Sequence, residues 1–142
     1  MISLERSAAR YISKCSNKIR RRLDMLSSRN DFSGSQGRTL HFLLAQTDEI
    51  FQKDIEEEFS LRPPTATELL KQMEKNGLIV REPMPYDNRL KKIVLTEKAL
   101  SFRKQVIEGL TDLEGDLIRD IPEEKLEVFF EVMEKIMDNL SE

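Results

Sequence analysis

Two short stretches hold the residues best suited to polar recognition. The first is Arg62-Pro63-Pro64-Thr65-Ala66-Thr67, with Lys71 one turn further on. A guanidinium presents a rigid fork of donors, and a threonine presents a hydroxyl beside a methyl. The second is Asp87-Asn88-Arg89, with Arg81 upstream and Lys91 and Lys92 downstream. A spacing of two puts Asp87 and Arg89 on one side of an extended segment, where the carboxylate can hold the guanidinium by a charge-assisted bond. Each stretch also has a plainer reading. Thr65 can serve as a helix cap, the Asp87–Arg89 pair can simply stiffen a hairpin, and basic residues on strands commonly face water.

Residues for covalent or metal chemistry are scarce. Cys15 is the single cysteine and His41 the single histidine, so an all-His/Cys tetrahedral zinc site cannot be built. Both fall in helical patterns without a loop to stabilise an oxyanion. Gly34 and Gly37 lack the lysine and hydroxyl residue of a phosphate-cradling loop. The expectation is therefore a non-enzyme with no catalytic residue, no metal and no cofactor. One cysteine also excludes an internal disulfide. Cys15 lies mid-helix on an apolar stripe, with Tyr11 one turn away and Lys14 and Lys18 off the stripe. That setting favours a buried, inert thiol over an oxidisable one.

The elements that position these residues follow from hydrophobic spacing. Leu4, Ala8, Tyr11, Ile12, Cys15, Ile19, Leu23 and Leu26 mark one stripe of a long amphipathic helix. The pattern breaks over Asn30–Gly34, and Ser33 with Gln36 fits a capping box opening a helix through Leu40, Leu43 and Leu44. A turn near Thr47–Glu49 precedes a short helix, Gln52–Phe59. Pro63 and Pro64 are tolerated only in a first helical turn, so they fix the start of a helix that stops at Asn76-Gly77. The period then changes to that of strands, over 78–82 and 91–95. The proline-punctuated 83–89 segment reads as an extended tip too long for a tight turn. Thr96 caps a helix carrying Leu100, Val106, Ile107, Leu110, Leu113, Leu117 and Ile118, and Ile121-Pro122 ends it. A last stripe runs through Leu126, Phe129, Phe130, Met133, Ile136, Met137 and Leu140.

Charge is segregated along the 142 residues. The chain carries a net −3, yet residues 1–38 sum to +6, 39–61 to −5, 62–98 to +3 and 99–142 to −7. Such blocks suggest basic and acidic faces, although scatter over solvated helices produces the same numbers. With 39% hydrophobic and 35% charged residues the composition is that of a globular domain. No apolar run approaches the ~20 residues a membrane helix needs. Met1–Arg10 lacks a signal-peptide core, so the cytoplasm is the expected compartment.

Helices followed by a two-stranded hairpin give the order of a winged helix-turn-helix. Residues 33–99 resemble the MarR family (multiple antibiotic resistance regulators). The resemblance rests on Ser33-x-x-Gln36, Thr65-Ala66-Thr67 leading into Leu69-Leu70, Met73-Glu74-Lys75-Asn76-Gly77-Leu78-Ile79, and Asp87-x-Arg89 followed by Leu95-Thr96-Glu97-Lys98. The flanking helices extend it to nearly the whole chain. Asn88 stands where a basic residue is common, Ala99 where glycine is usual, and Glu68 at a recognition-helix position that is often basic.

The resemblance implies a mainly α fold with a small two-stranded β-wing, its winged helix-turn-helix core flanked by long dimerisation helices. It also implies a single domain over 1–142, with a DNA-binding lobe at 33–98 and dimerisation helices at 1–30 and 99–142. The expected partners are double-stranded DNA and a second copy of the chain, with no membrane. Expected DNA contacts are Arg62, Pro64, Thr65, Thr67, Lys71, Arg81, Asp87, Arg89 and Lys91, with the recognition helix in the major groove and Arg89 in the minor groove. The expected role is a homodimeric regulator, in this family most often a repressor, on a near-palindromic operator. Relatives often bind a small aromatic ligand between the helices and the lobe. Tyr11, Ile12, Cys15, Phe42 and Phe102 are the candidate lining here, each also readable as core. Two alternatives stay open: a winged helix used only for protein contacts, and a repressor that senses oxidation through Cys15.

Overall fold

The computed structural model describes residues 3–28 and 34–141. A 3-10 turn at Leu4–Arg6 precedes α1 (Ala8–Ser28). The stripe read as one helix from Leu4 is thus interrupted at Ser7, whose backbone is extended. Its hydroxyl accepts from the Arg10 amide at 3.3 Å, the reach of an N-cap serine. Helix α2 covers Gly34–Ala45. Ser33 of the expected capping box lies outside the described residues. Gln36 accepts instead from Asn76 Nδ2 at 2.8 Å, joining the start of α2 to the end of a later helix.

A two-residue strand, β1 (Ile50–Phe51), leads directly into α3 (Gln52–Phe59). Ser60 then adopts a left-handed backbone, φ 51°, and turns the chain toward α4 (Pro63–Lys75). Both prolines occupy the first turn of α4, where no intrahelical donor is lost. Gly77, at φ +73°, makes the left-handed exit that the Asn-Gly pair predicts.

The wing differs from its expectation in two ways. Strands β2 (Ile79–Met84) and β3 (Asp87–Leu95) run almost to the tip, leaving a two-residue turn at Pro85-Tyr86. The register pairs Ile79 with Leu95 and Met84 with Asp87, with an irregularity between Pro83 and Met84. Pro83 is tolerated within β2 because β2 is an edge strand, where a missing N–H breaks no ladder. The sheet also has three strands rather than two, in the antiparallel order β1-β3-β2, with Ile50 opposite Ile93. Two residues of strand carry no period of their own, so β1 left no trace in the pattern.

Thr96 caps the next helix, accepting from the Ala99 amide at 3.2 Å and donating to Gly77 O at 2.6 Å. The segment read as one helix after Thr96 is two, α5 (Glu97–Leu100) and α6 (Arg103–Ile118). Between them the Phe102 amide bonds back only three residues, to Ala99 O at 3.1 Å, a tightened turn that ends α5. Helix α7 spans Glu123–Leu140, with Pro122 as its N-cap.

The chain falls into two compact units, residues 1–109 and 110–142. The core of the first is fully buried: Leu40 and Leu44 from α2, Ile55 from α3, Leu70 and Met73 from α4, Leu78 and Ile79 at the hairpin base, and Val106 from α6. In the second unit α7 carries no buried residue. Among the described residues no helix is long and apolar enough to cross a membrane, and no group of His, Cys, Asp or Glu is placed to hold a metal.

Candidate nucleic-acid interface

Helix α4 turns Ala66, Leu69, Leu70 and Met73 into the core and leaves Pro64, Thr65, Glu68, Lys71, Gln72 and Lys75 exposed. The apolar set recurs at three and four residues, so the opposite face must be outward and polar. Arg62 is the exposed N-cap residue of α4, its backbone extended. Pro63 and Pro64 lack amide hydrogens, and the Ala66 amide donates to Arg62 O at 3.0 Å. Thr65 therefore supplies the amide left in that turn to meet an anion.

Thr67 is placed differently. It is half-buried, its hydroxyl donates to Pro63 O at 2.9 Å, and it accepts from Gln52 Nε2 at 3.0 Å. Gln52 begins α3 and so ties the two helices of the helix-turn-helix together. Arg81 is likewise engaged: its Nε and terminal nitrogen each lie 2.9 Å from Glu74 Oε1, pinning β2 to α4. Lys92 sits 3.8 Å from Glu49 on the segment before β1, whereas Lys91 is exposed.

At the wing, the Asp87 carboxylate accepts from the Arg89 amide at 2.9 Å and from Arg89 Nε at 3.4 Å. The same oxygen holds backbone and side chain, so it fixes both the turn and the direction of the guanidinium. The Arg89 side chain is nevertheless 94% exposed. A weakly hydrated, planar cation held at the end of a hairpin is built for contact with an anionic surface. Tyr86, in the turn beside it, is also exposed.

The five residues named for an effector pocket do not gather in one described cavity. Phe42 lines a cleft of about 360 Å³ with Gln46, Ile50, Asp54, Glu57 and Glu58, and its ring meets Phe59 edge-on at 5.8 Å. Phe102 is half-buried beside α6, while Tyr11, Ile12 and Cys15 are exposed on α1. The expectation of a buried Cys15 is thus corrected: its end of the stripe is exposed in the single chain, whereas Ile19, Leu23 and Leu26 are half-buried. His41, in contrast, is 4% exposed. Its Nε2 lies 3.2 Å from Ser27 Oγ, and the Ser27 hydroxyl donates to Leu23 O at 3.0 Å. With that hydrogen committed, the imidazole is the donor, and its buried Nδ1 has no partner among the described residues. Burial lowers the His41 pKa below 6.5, an effect Asp24 partly opposes. Asp24 itself pairs with Arg38 at 3.0 Å.

Two residues of this surface are absent from the sequence reading. Gln72 donates to Glu68 Oε1 at 3.1 Å on the outward face of α4. The spacing of four was legible as a helical pair. Gln52 is spaced to pair with Glu56 in the same way, but its partners in α4 lie 11 and 15 residues away and left no signal.

The MarR family model matches residues 30–90, which hold the helix-turn-helix and most of the wing. Nearly the whole chain also superposes on solved structures. The chain is similar to the MarR family. It matches the transcription regulator MarR from Oenococcus oeni PSU-1 with a TM-score of 0.81 at 25% identity, covering 93% of this chain and 99% of that one. It matches S. aureus MepR in its DNA-binding conformation with a TM-score of 0.85 at 26% identity, covering 95% and 99%. The S. aureus MepR–DNA complex gives 0.85 at 26% identity over 98% and 100%. The matched family and these neighbours are transcription regulators rather than enzymes.

Proposed function

We propose that this chain acts in the cytoplasm as a homodimeric repressor that binds a near-palindromic operator. In this reading α4 enters the major groove and the β2–β3 wing follows the adjacent minor groove. The observation that carries it is Arg89, fully presented at the wing while Asp87 fixes its posture. A narrow minor groove concentrates negative potential and draws in a guanidinium. Arg62, Pro64, Thr65, Lys71 and Lys91 are exposed, which supports their meeting the duplex. Thr67 and Arg81 support the surface from within it, through Gln52 and Glu74.

The exposed apolar residues of α1 and α7 support a two-chain assembly in which 1–30 and 99–142 form the interface and 33–98 the DNA-binding lobe. Two recognition helices related by a two-fold axis then meet two half-sites. A small aromatic effector enclosed between the helical part and the lobe would bias half-site spacing through its differential affinity for two arrangements. An anisotropy titration of a selected duplex tests the reading. Arg89→Ala is expected to weaken binding by about 1–3 kcal/mol with the melting curve unchanged. Unchanged affinity at moderate salt would remove Arg89 from the interface, and no duplex binding even at low salt would leave a protein-contact module instead.

A further inference from the structure

The hydrogen bonds around Gln52 determine what α4 can read. The Thr67 hydroxyl has one hydrogen, and it goes to Pro63 O at 2.9 Å. One of its lone pairs takes the Gln52 amide at 3.0 Å, and the same amide group lies 3.1 Å from Glu56 Oε2 and 3.3 Å from Pro63 O. Thr67 therefore has no donor left for the acceptors that line the major groove, guanine N7 and O6, adenine N7 and thymine O4. Its half-buried position points the same way.

The outward face of α4 is occupied instead by Thr65, Glu68 and Gln72, all exposed and spaced three and four residues apart. Glu68 is an acceptor only, so phosphates and base acceptors repel it. The major-groove groups that can satisfy it are exocyclic amines, cytosine N4 and adenine N6, and carboxylates characteristically take cytosine N4. Gln72 donates to Glu68 at 3.1 Å and so holds the carboxylate in place.

We infer that Pro63 O and Gln52 together withhold Thr67 from base readout and that Thr65, Glu68 and Gln72 form the reading face, with Glu68 taking a cytosine amine. This rests on the proposal that α4 lies in the major groove. Gln52 is a positioning residue, and Glu68 carries discrimination.

The test is selection of bound sequences from a random duplex library by the full chain, with melting curves run in parallel. Thr67→Val is expected to select the wild-type motif. Glu68→Gln is expected to replace cytosine by adenine at one position per half-site, since a glutamine pairs with adenine N6 and N7. Gln52→Ala frees the Thr67 oxygen and is expected to add a base preference that Gln52→Ala combined with Thr67→Val abolishes. Thr67→Ala serves in place of Thr67→Val should the latter not fold. A changed motif with Thr67→Val, an unchanged motif with Glu68→Gln, or an unchanged motif with Gln52→Ala would each overturn the inference. A wild-type chain that enriches no motif would instead overturn the operator-binding proposal beneath it.

Discussion

The lobe proposed to bind DNA and the last helix treat their apolar residues in opposite ways. In the lobe, Leu40, Leu44, Ile55, Leu70, Met73, Leu78 and Ile79 are each under 2% exposed. On α7, Phe129 and Phe130 are 51% and 52% exposed, and Val128, Val132, Met137 and Leu140 are exposed with them. The two rings meet edge-on at 5.4 Å, but neither is enclosed. A lobe that closes its core within one chain needs no second surface to bury it. A helix that exposes a contiguous apolar stripe asks for a second surface, because patches of that size are uncommon on free monomers. The comparison separates where stability arises from where assembly arises.

Four experiments test this difference. The largest effect is expected from Phe129→Glu with Phe130→Glu, which places two charges on the α7 stripe. Sedimentation should shift from twice 16.6 kDa to 16.6 kDa, with helicity of the lobe retained. A wild-type chain already sedimenting at 16.6 kDa would end the idea that α7 needs a partner. Next, Leu70→Ala opens a cavity in the lobe and should cost about 2–5 kcal/mol in denaturant unfolding without dissociating the subunits.

The two glycines of α6 provide an internal contrast. An added Cβ at Gly115 meets nothing within 4 Å, so Gly115→Ala should stabilise by up to about 1 kcal/mol. At Gly109 it would fall 2.5 Å from Leu26 Cδ1, so Gly109→Ala should forfeit that gain as α1 and its side chain shift. Equal melting temperatures for the two variants would remove Gly109 as a point of close approach.

The smallest effect concerns His41. Its folded pKa lies below its ordinary value of 6.5, so the unfolded chain takes up the proton first as pH falls. Stability is full above 6.5, declines as pH drops below it, and finishes declining once the folded imidazole is also charged. Asp24, opposite, softens the loss by favouring the imidazolium. His41→Asn should flatten this part of the melting profile, while an unchanged slope would assign it to other groups.

How much of this was legible follows physical lines. Helices α3 and α4 match their sequence bounds closely, because Phe51, Ile55 and Phe59 repeat by turns and a proline pair permits one helix start. The wing was legible as a hairpin but not in its length: prolines read locally as breaks are compatible with an edge strand, and edge status is a property of the sheet. Strand β1 exists only through its pairing with β3 across more than 40 residues of chain. The Asp87–Arg89 pair was fully legible, since both partners lie two residues apart on one strand. Arg81 and Thr67 were legible as polar but not as occupied. Their partners, Glu74 and Gln52, meet them only after α4 packs against its neighbours. Cys15 was misplaced for a related reason, because a stripe shows that a face is apolar without showing whose atoms cover it.

The proline of β2 has one more consequence. A three-stranded sheet has two open margins, and each is a template on which a foreign strand can add. Here one margin is β1, which offers only Ile50 and Phe51, and the other is β2, where Pro83 removes a donor and the ladder is irregular beside it. Neither rim supports a continuous run of new hydrogen bonds. Copies crowded side by side along a duplex would therefore stay separate molecules, and the wing would remain a probe rather than a seed for fibres.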